Sequence, residues 1–238
     1  MRVLEIWRYP VKSLQGEQLG RVDLGPAGLE GDRRYALFDV ETGFGLTARR
    51  QPELLFASAT ATTGGPPTIT LPNGAEARDD DTLSDWLGRR VELRCTDHQD
   101  VRRYENVSDF ENEPTSAWEP FDGASGAFHD IEGATVSLLS TASIGDWDRR
   151  RFRPNLLLDG SGEDDLVGSR VHTGAAVLAV NAPIERCVMT TRPQPGSIDR
   201  DLDVLRTIHR QRGGRLAVGA VVVSPGQVRV GDELVGQQ

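Results

Sequence analysis

Residues 216–235 read LAVGAVVVSPGQVRVGDELV. Two β-branched runs, 216–223 and 227–235, flank a Ser-Pro-Gly turn, the pattern of two strands joined by a tight connection. Working back from this pair, a helix is expected to begin at Asp199, because Leu202, Val204, Leu205 and Ile208 fall on one face and Gly213–Gly214 offers a C-cap. Runs 177–180, 156–158 and 135–139 again read as strands, with a helix over 142–149 capped by Ser140 or Thr141. In the first half, 3–7, 35–40, 54–60, 68–71 and 91–95 look extended, and Thr82 could cap a short helix over 83–88. Many short strands and few helices predict a mainly β (α+β) chain of β-barrel architecture.

The 238 residues suffice for one large β-rich domain or two small ones. The net charge of −9 argues against nucleic-acid binding. Ten acidic and two basic residues lie between Asp97 and Glu132, so the rest of the chain is nearly neutral and has room for an electropositive pocket. That acidic stretch, with Pro114 and Pro120, reads as a surface loop or linker, although Trp118, Phe121 and Phe128 signal that part of it packs down. No apolar run is long enough for a membrane helix, and no basic, apolar leader precedes the first strand; the expectation is a cytoplasmic protein without a membrane partner. Cys95 and Cys187 form no CxxC pair, which disfavours structural zinc.

Of the 27 Lys and Arg residues only Lys12 is lysine. Either drift left one survivor, or this position needs a compact ammonium that a planar guanidinium cannot replace. Glycine-rich phosphate loops, nucleophile elbows and HExxH are absent. His98, His129, His172 and His209 are scattered and read as surface residues. The chemistry-bearing residues that remain sit beside strands: Tyr9-Pro10-Val11-Lys12-Ser13, Gly31-Asp32-Arg33-Arg34, Thr47-Ala48-Arg49-Arg50, Arg151-Phe152-Arg153-Pro154-Asn155 and Glu185-Arg186-Cys187. They read as loops at barrel ends carrying forked donors and one thiol. Each also has a plainer reading: Cys187 as a small buried hydrophobe, Arg153 as an ion-pair partner of Asp148, Lys12 as a solvated turn residue. Cys95, after alternating Val91 and Leu93, reads as core packing.

The pieces VLEIWRYPVKSL, GLEGDRRYALFD, TARRQPEL, SLLSTASI, RFRPNLLLDG, ERCVMTT and PGQVRVGDEL stand in one order along nearly the whole chain. In that order they resemble the MOSC family, which includes the molybdenum-cofactor sulfurase C-terminal domain and the mitochondrial amidoxime-reducing component. The resemblance implies a MOSC N-terminal β-barrel-like domain over 1–96, an acidic linker over 97–132 and a MOSC domain over 133–238. It further implies a molybdenum–pterin cofactor with Cys187 as the metal ligand, and Lys12, Ser13, Arg33, Thr141, Ser143, Arg153 and Asn155, with Arg49 as a further candidate, as cofactor contacts. A soft thiolate suits a thiophilic metal already held by the pterin's sulfurs, and a phosphate calls for forked or point-charge donors.

The activity implied is reduction of N-hydroxylated small molecules. No cysteine cluster is present to hold an iron–sulfur centre, so electrons are expected from a separate protein. The alternative is a carrier of the cofactor, or of sulfur as a Cys187 persulfide. Pyridoxal phosphate is disfavoured: in sulfurases it belongs to a separate domain, and only Lys12 could form the Schiff base.

Overall fold

The computed structural model describes residues 1–97 and 102–236. A curled sheet of eight strands runs in the order Leu234–Gly236, Arg170–Thr173, Ala176–Glu185, Arg215–Ser224, Val136–Ser140, Leu156–Leu158, Val3–Arg8 and Glu17–Leu19. All neighbours are antiparallel except Val136–Ser140 with Leu156–Leu158. The fold is mainly β, as the strand pattern requires.

Side-chain alternation gives this sheet two buried faces. Leu138, Leu156, Leu158 and Val218 point into a barrel core with Val3, Ile6, Val22, Leu24, Leu29 and Val228. The last four of these come from the small sheet Gly226–Arg229, Arg21–Gly25 and Gly28–Leu29, which closes over the curl, so N-terminal residues complete a core built largely from the second half. Leu139, Leu157, Leu216 and Ala217 point to the other face, where Val204 and Ile208 of helix Leu202–Arg212 cover them. Each fully buried aliphatic side chain of this kind contributes on the order of 2 kcal/mol. A second core gathers Val11, Leu14, Leu37, Leu46, Leu54, Ile69, Leu83 and Val91.

Several local expectations need correction. Gly231, with φ 95°, turns the chain within 227–235, so Gly226–Arg229 pairs with Arg21–Gly25 while Leu234–Gly236 joins the large sheet. Pro52 starts a 3-10 turn over Pro52–Phe56, and only Ser58–Thr60 is extended. The first helix is Asp80–Leu87; Asp79 rather than Thr82 caps it, accepting from the Thr82 amide at 2.8 Å, because a carboxylate both bonds the free amide and meets the helix dipole. Helix Thr141–Ile144 lasts one turn before Gly145. The long helix starts at Leu202, capped by Asp201.

Within the acidic stretch, Arg103–Val107 and Trp118–Asp122 form a hairpin with Tyr104 opposite Phe121, their rings 5.7 Å apart. The Tyr104 ring lies between Gly45 and Gly123, where an added Cβ would come within 2.3 Å of it in each case; any side chain there would push the ring out. At the hairpin tip, Phe110 stacks on His209 (5.5 Å), Glu111 pairs with Arg206 (2.7 Å), and Glu113 pairs with Arg192 and Arg200. The tip is thus fastened to the long helix and to the segment that follows Cys187. Among the described residues no helix is long and apolar enough to cross a membrane.

Candidate functional site

A cavity of about 520 Å³ opens where the barrel, the second core and the hairpin meet. That lies within the range of small-molecule pockets.

Its barrel side begins at Tyr9, which follows the first strand. The Tyr9 amide donates to Asp32 Oδ1 at 2.7 Å, and Asp32 in turn pairs with Arg33. The Tyr9 ring carries two guanidinium groups, Arg153 at 4.1 Å and Arg33 at 5.1 Å, in cation–π contact. Arg153 leaves the 3-10 turn Arg149–Arg151 with φ 52°, then enters strand Leu156–Leu158 through Pro154 and Asn155. Its side chain is buried, and neither Nη1 nor Nη2 has a hydrogen-bond partner. Burial pushes its pKa down to about 10. Arg186 donates from Nε to the Leu216 carbonyl (2.7 Å) and from Nη1 to the Phe152 carbonyl (3.1 Å), leaving buried Nη2 unpartnered. Burial lowers it, too, to about 10. A buried donor without a partner costs roughly 1–3 kcal/mol, and more when charged. Both residues line the cavity, where an acceptor would satisfy these donors.

The hairpin side is built from Lys12, Arg49, Asp130 and Cys187. Lys12 Nζ sits 4.4 Å above the Tyr104 ring and donates to the Phe128 carbonyl (3.0 Å) and to Asp130 Oδ1. Burial outweighs Asp130 and lowers Lys12 to about 8. Arg49 Nη2 donates to Asp130 Oδ2 at 2.6 Å, while its Nε donates to Cys187 Sγ at 3.2 Å. Burial would raise the Asp130 carboxyl, but Arg49 and Lys12 overcome it and hold the group far below the ordinary carboxylate range. Ser13, with φ 70°, accepts from the Ala48 amide at 3.0 Å and so fixes the Arg49 loop. Ser13, Arg33 and Arg153 all hold non-glycine positive φ and all line the cavity. Left-handed backbone of this kind costs on the order of 1–3 kcal/mol and persists where the surroundings enforce it.

Lys12, Ser13, Arg33, Arg49, Arg153, Asn155 and Cys187 are therefore brought together. Asn155 is already committed: Oδ1 accepts from the Ser137 amide (3.1 Å) and hydroxyl (3.0 Å), and Nδ2 donates to the Trp7 carbonyl (3.2 Å). It pins strands beneath Arg153 and leaves one Nδ2 hydrogen at most for a ligand. Thr141 and Ser143 do not line the cavity. They follow the end of strand Val136–Ser140 away from Ser137, which does line it, and a strand rises about 3.3 Å per residue. Ser143, with Ser140, faces the buried carboxylate of Glu163 instead. Arg153 does not bridge Asp148, which bonds Arg150.

Cys187 is half-buried and Cys95 likewise, the latter less enclosed than core packing implied. The residues missed are Asp130, His129, Tyr104 and Phe121, all from the stretch read as a loop. Phe128, an aromatic residue beside a His-Asp pair inside an acidic run, was the signal available. His129 is buried, not at the surface, and His98 falls outside the described residues.

Comparison with known proteins places these residues in context. A profile described as the MOSC N-terminal beta barrel domain matches residues 1–113, and one described as the MOSC domain matches residues 126–235. No curated protein matches the chain. Among solved structures, the YUAD protein from Bacillus subtilis aligns at 12% identity over 98% of this chain and 93% of its own, with a TM-score of 0.44. YiiM from Geobacillus stearothermophilus aligns at 17% identity over 57% of this chain and 72% of its own, with a TM-score of 0.37.

Proposed function

The chain belongs to the MOSC family, a MOSC N-terminal barrel followed by a MOSC domain, and from that premise we propose that its cavity binds a molybdenum–pterin cofactor and reduces N-hydroxylated small molecules with electrons from a separate protein. The observation that carries this reading is a juxtaposition. The Cys187 sulfur shares one cavity with buried guanidinium donors of Arg153 and Arg186 that have no partner of their own.

The residues fit the group. Among the described residues no three His, Cys, Asp or Glu side chains gather as a metal cage. A metal here would need to arrive with most of its ligands, as it does when held by pterin sulfurs, and take one soft thiolate from the protein. An anionic phosphate would satisfy Arg153, with Lys12 and Arg33 adjacent. When bound, the molybdenum–pterin group supplies the two-electron chemistry that removes oxygen from nitrogen.

The chain's own residues do the rest. Cys187 would hold the metal. Arg49 donates to that sulfur at 3.2 Å and fixes its direction. Arg153, Arg33 and Lys12 hold the anionic end, and the Phe121 ring with Pro120 restricts water at the hairpin side. Protein made in a cofactor-competent host is expected to carry about one molybdenum per chain, and Cys187→Ala is expected to lose both the metal and turnover of a test amidoxime. A cyanide-labile sulfur on Cys187 with no turnover of N-hydroxylated compounds would assign the carrier role instead.

A further inference from the structure

Of the histidines among the described residues, His129 alone lies in the cavity wall; His172 is exposed on its strand and His209 is stacked against Phe110. The residue is 8% exposed, and its Nε2 is sealed from solvent without a hydrogen-bond partner. Its neighbours hold it still. The Phe128 amide donates to the Arg33 carbonyl at 2.7 Å, and the Phe128 carbonyl and Asp130 carboxylate both receive Lys12 Nζ. The charged groups facing the ring are Arg33 and Asp32 from the loop before Tyr35, Lys12 from the loop after the first strand, and Asp130 from its own segment.

We propose that His129 is a ligand-contacting residue that takes up a proton when an anionic group enters beside Lys12 and Arg33, so that the site binds its anion and a proton together. The proposal rests on the reading above that this corner receives a phosphate-like dianion, and adds how the corner adjusts its charge.

Two influences keep the ring neutral: burial first, then Arg33, with Lys12 adding to it. Together they push its pKa down to about 3. An entering dianion cancels the second influence and gives an imidazolium N–H something to bond. The step is protonation alone: solvent supplies the proton, the imidazole becomes imidazolium, and no bond between heavy atoms changes. Because the pKa is higher in the complex than in the free protein, affinity must rise as pH falls toward the raised value.

Sulfate is the probe, since it does not itself titrate near neutrality. The ring proton signals of the histidines in the full chain are followed by NMR across roughly pH 4.5–8.5, a window that brackets an ordinary imidazole, and His129→Gln identifies the relevant signal. Without sulfate the His129 signal should stay at its neutral position through most of the window. With saturating sulfate its midpoint should rise into that window, to about 6, close to an ordinary imidazole. Sulfate should also bind the wild type several-fold more tightly near pH 5.5 than near pH 7, with that dependence flattened in His129→Gln. Sulfate binding with an unmoved His129 midpoint, or an equal pH dependence in the variant, overturns the inference alone. Failure of sulfate to bind the wild type at tens of millimolar overturns it together with the anion-clamp reading on which it rests.

Discussion

On the barrel side of the cavity, Arg153 and Arg186 lie against the rings of Tyr9 and Phe152 and form no ion pair among the described residues. On the hairpin side, Lys12 and Arg49 also lie against rings, those of Tyr104 and Phe121, but both grip Asp130. The chemistry of the cations is similar; their bookkeeping is not. The barrel side holds uncompensated charge in a rigid frame of backbone carbonyls, ready for an acceptor. The hairpin side holds a partly neutralised cluster, two cations sharing one carboxylate with which an incoming anion must compete. A ligand with one anionic end is therefore expected to seat that end at Arg153 and Arg33 on the barrel side, with Lys12 at its edge, and leave the Cys187 sulfur for the reacting atoms.

The largest expected effect breaks the barrel side. Arg153→Met removes two donors whose charge-assisted bonds to a ligand are worth roughly 1.5 kcal/mol or more each, so affinity for the anion should fall about a hundredfold. The same change removes a buried, unpaired cation, and the ligand-free protein should become more stable by about 1 kcal/mol or more in denaturant titration. Loss of binding with loss of stability would mean that Arg153 has a structural partner and the contrast between the two sides is wrong.

Asp130→Asn acts on the other side with the opposite sign. Freed of their counter-ion, Lys12 and Arg49 should take sulfate about tenfold more tightly, an electrostatic gain of roughly 1.4 kcal/mol. The stability lost should be modest, about 1 kcal/mol, because the Asp130 side chain is 37% exposed and solvent screens the pairs. Since its folded pKa is depressed, the stabilisation is present above the unfolded carboxylate pKa of about 4 and is lost as pH falls below it. The stability gap between wild type and variant should accordingly close in acid.

The two sides also differ in how far the sequence revealed them. On the barrel side Arg33 and Arg153 each stand next to a strand in a short, ordered motif, and local pattern carries local structure. The strand architecture was legible for the same reason: Leu156–Leu158 and Val91–Cys95 are bounded by turn residues on both sides. Asp130 and His129 were hidden because their role is set by Lys12, more than a hundred residues away, and because a stretch so rich in carboxylates reads as solvated. Thr141 and Ser143 stand outside the cavity for the converse reason. Their motif is adjacent to the site in sequence, but a strand separates the two ends by its full length, and only Ser137 reaches the cavity.

A smaller effect separates Lys12 from every arginine around it. Its pKa, lowered by burial to about 8, means that the ligand-free protein begins to lose this charge just above neutrality. Anion affinity should fall as pH rises through about 8, and Lys12→Arg should remove that decline, because guanidinium stays charged. Stability has the other sign: between about pH 8 and 10.5 the unfolded chain binds the proton that the folded chain has released, so the wild type should gain stability with rising pH relative to Lys12→Arg. Isothermal titration with sulfate and denaturant titration across pH read the two signs separately.

The smallest effect on anion affinity concerns what holds the hairpin side in place. Glu113 receives Arg192 in a two-pronged ion pair and Arg200 at 3.4 Å, and Arg192 also donates to the Arg49 carbonyl. One carboxylate at the hairpin tip thus fastens the hairpin and steadies the loop that aims Arg49 at Cys187. Glu113→Gln keeps the shape and removes the charge; with Arg192 only 7% and Glu113 17% exposed, the fold should lose about 2 kcal/mol, more than a surface pair would cost. If the hairpin opens as its own unit, amide hydrogen exchange should quicken in Arg103–Val107 and Trp118–Asp122 while Leu156–Leu158 in the barrel stays protected. Equal quickening in all three would mean that the hairpin and the barrel open together. The difference in charge between the two sides would then have no counterpart in how firmly each is held.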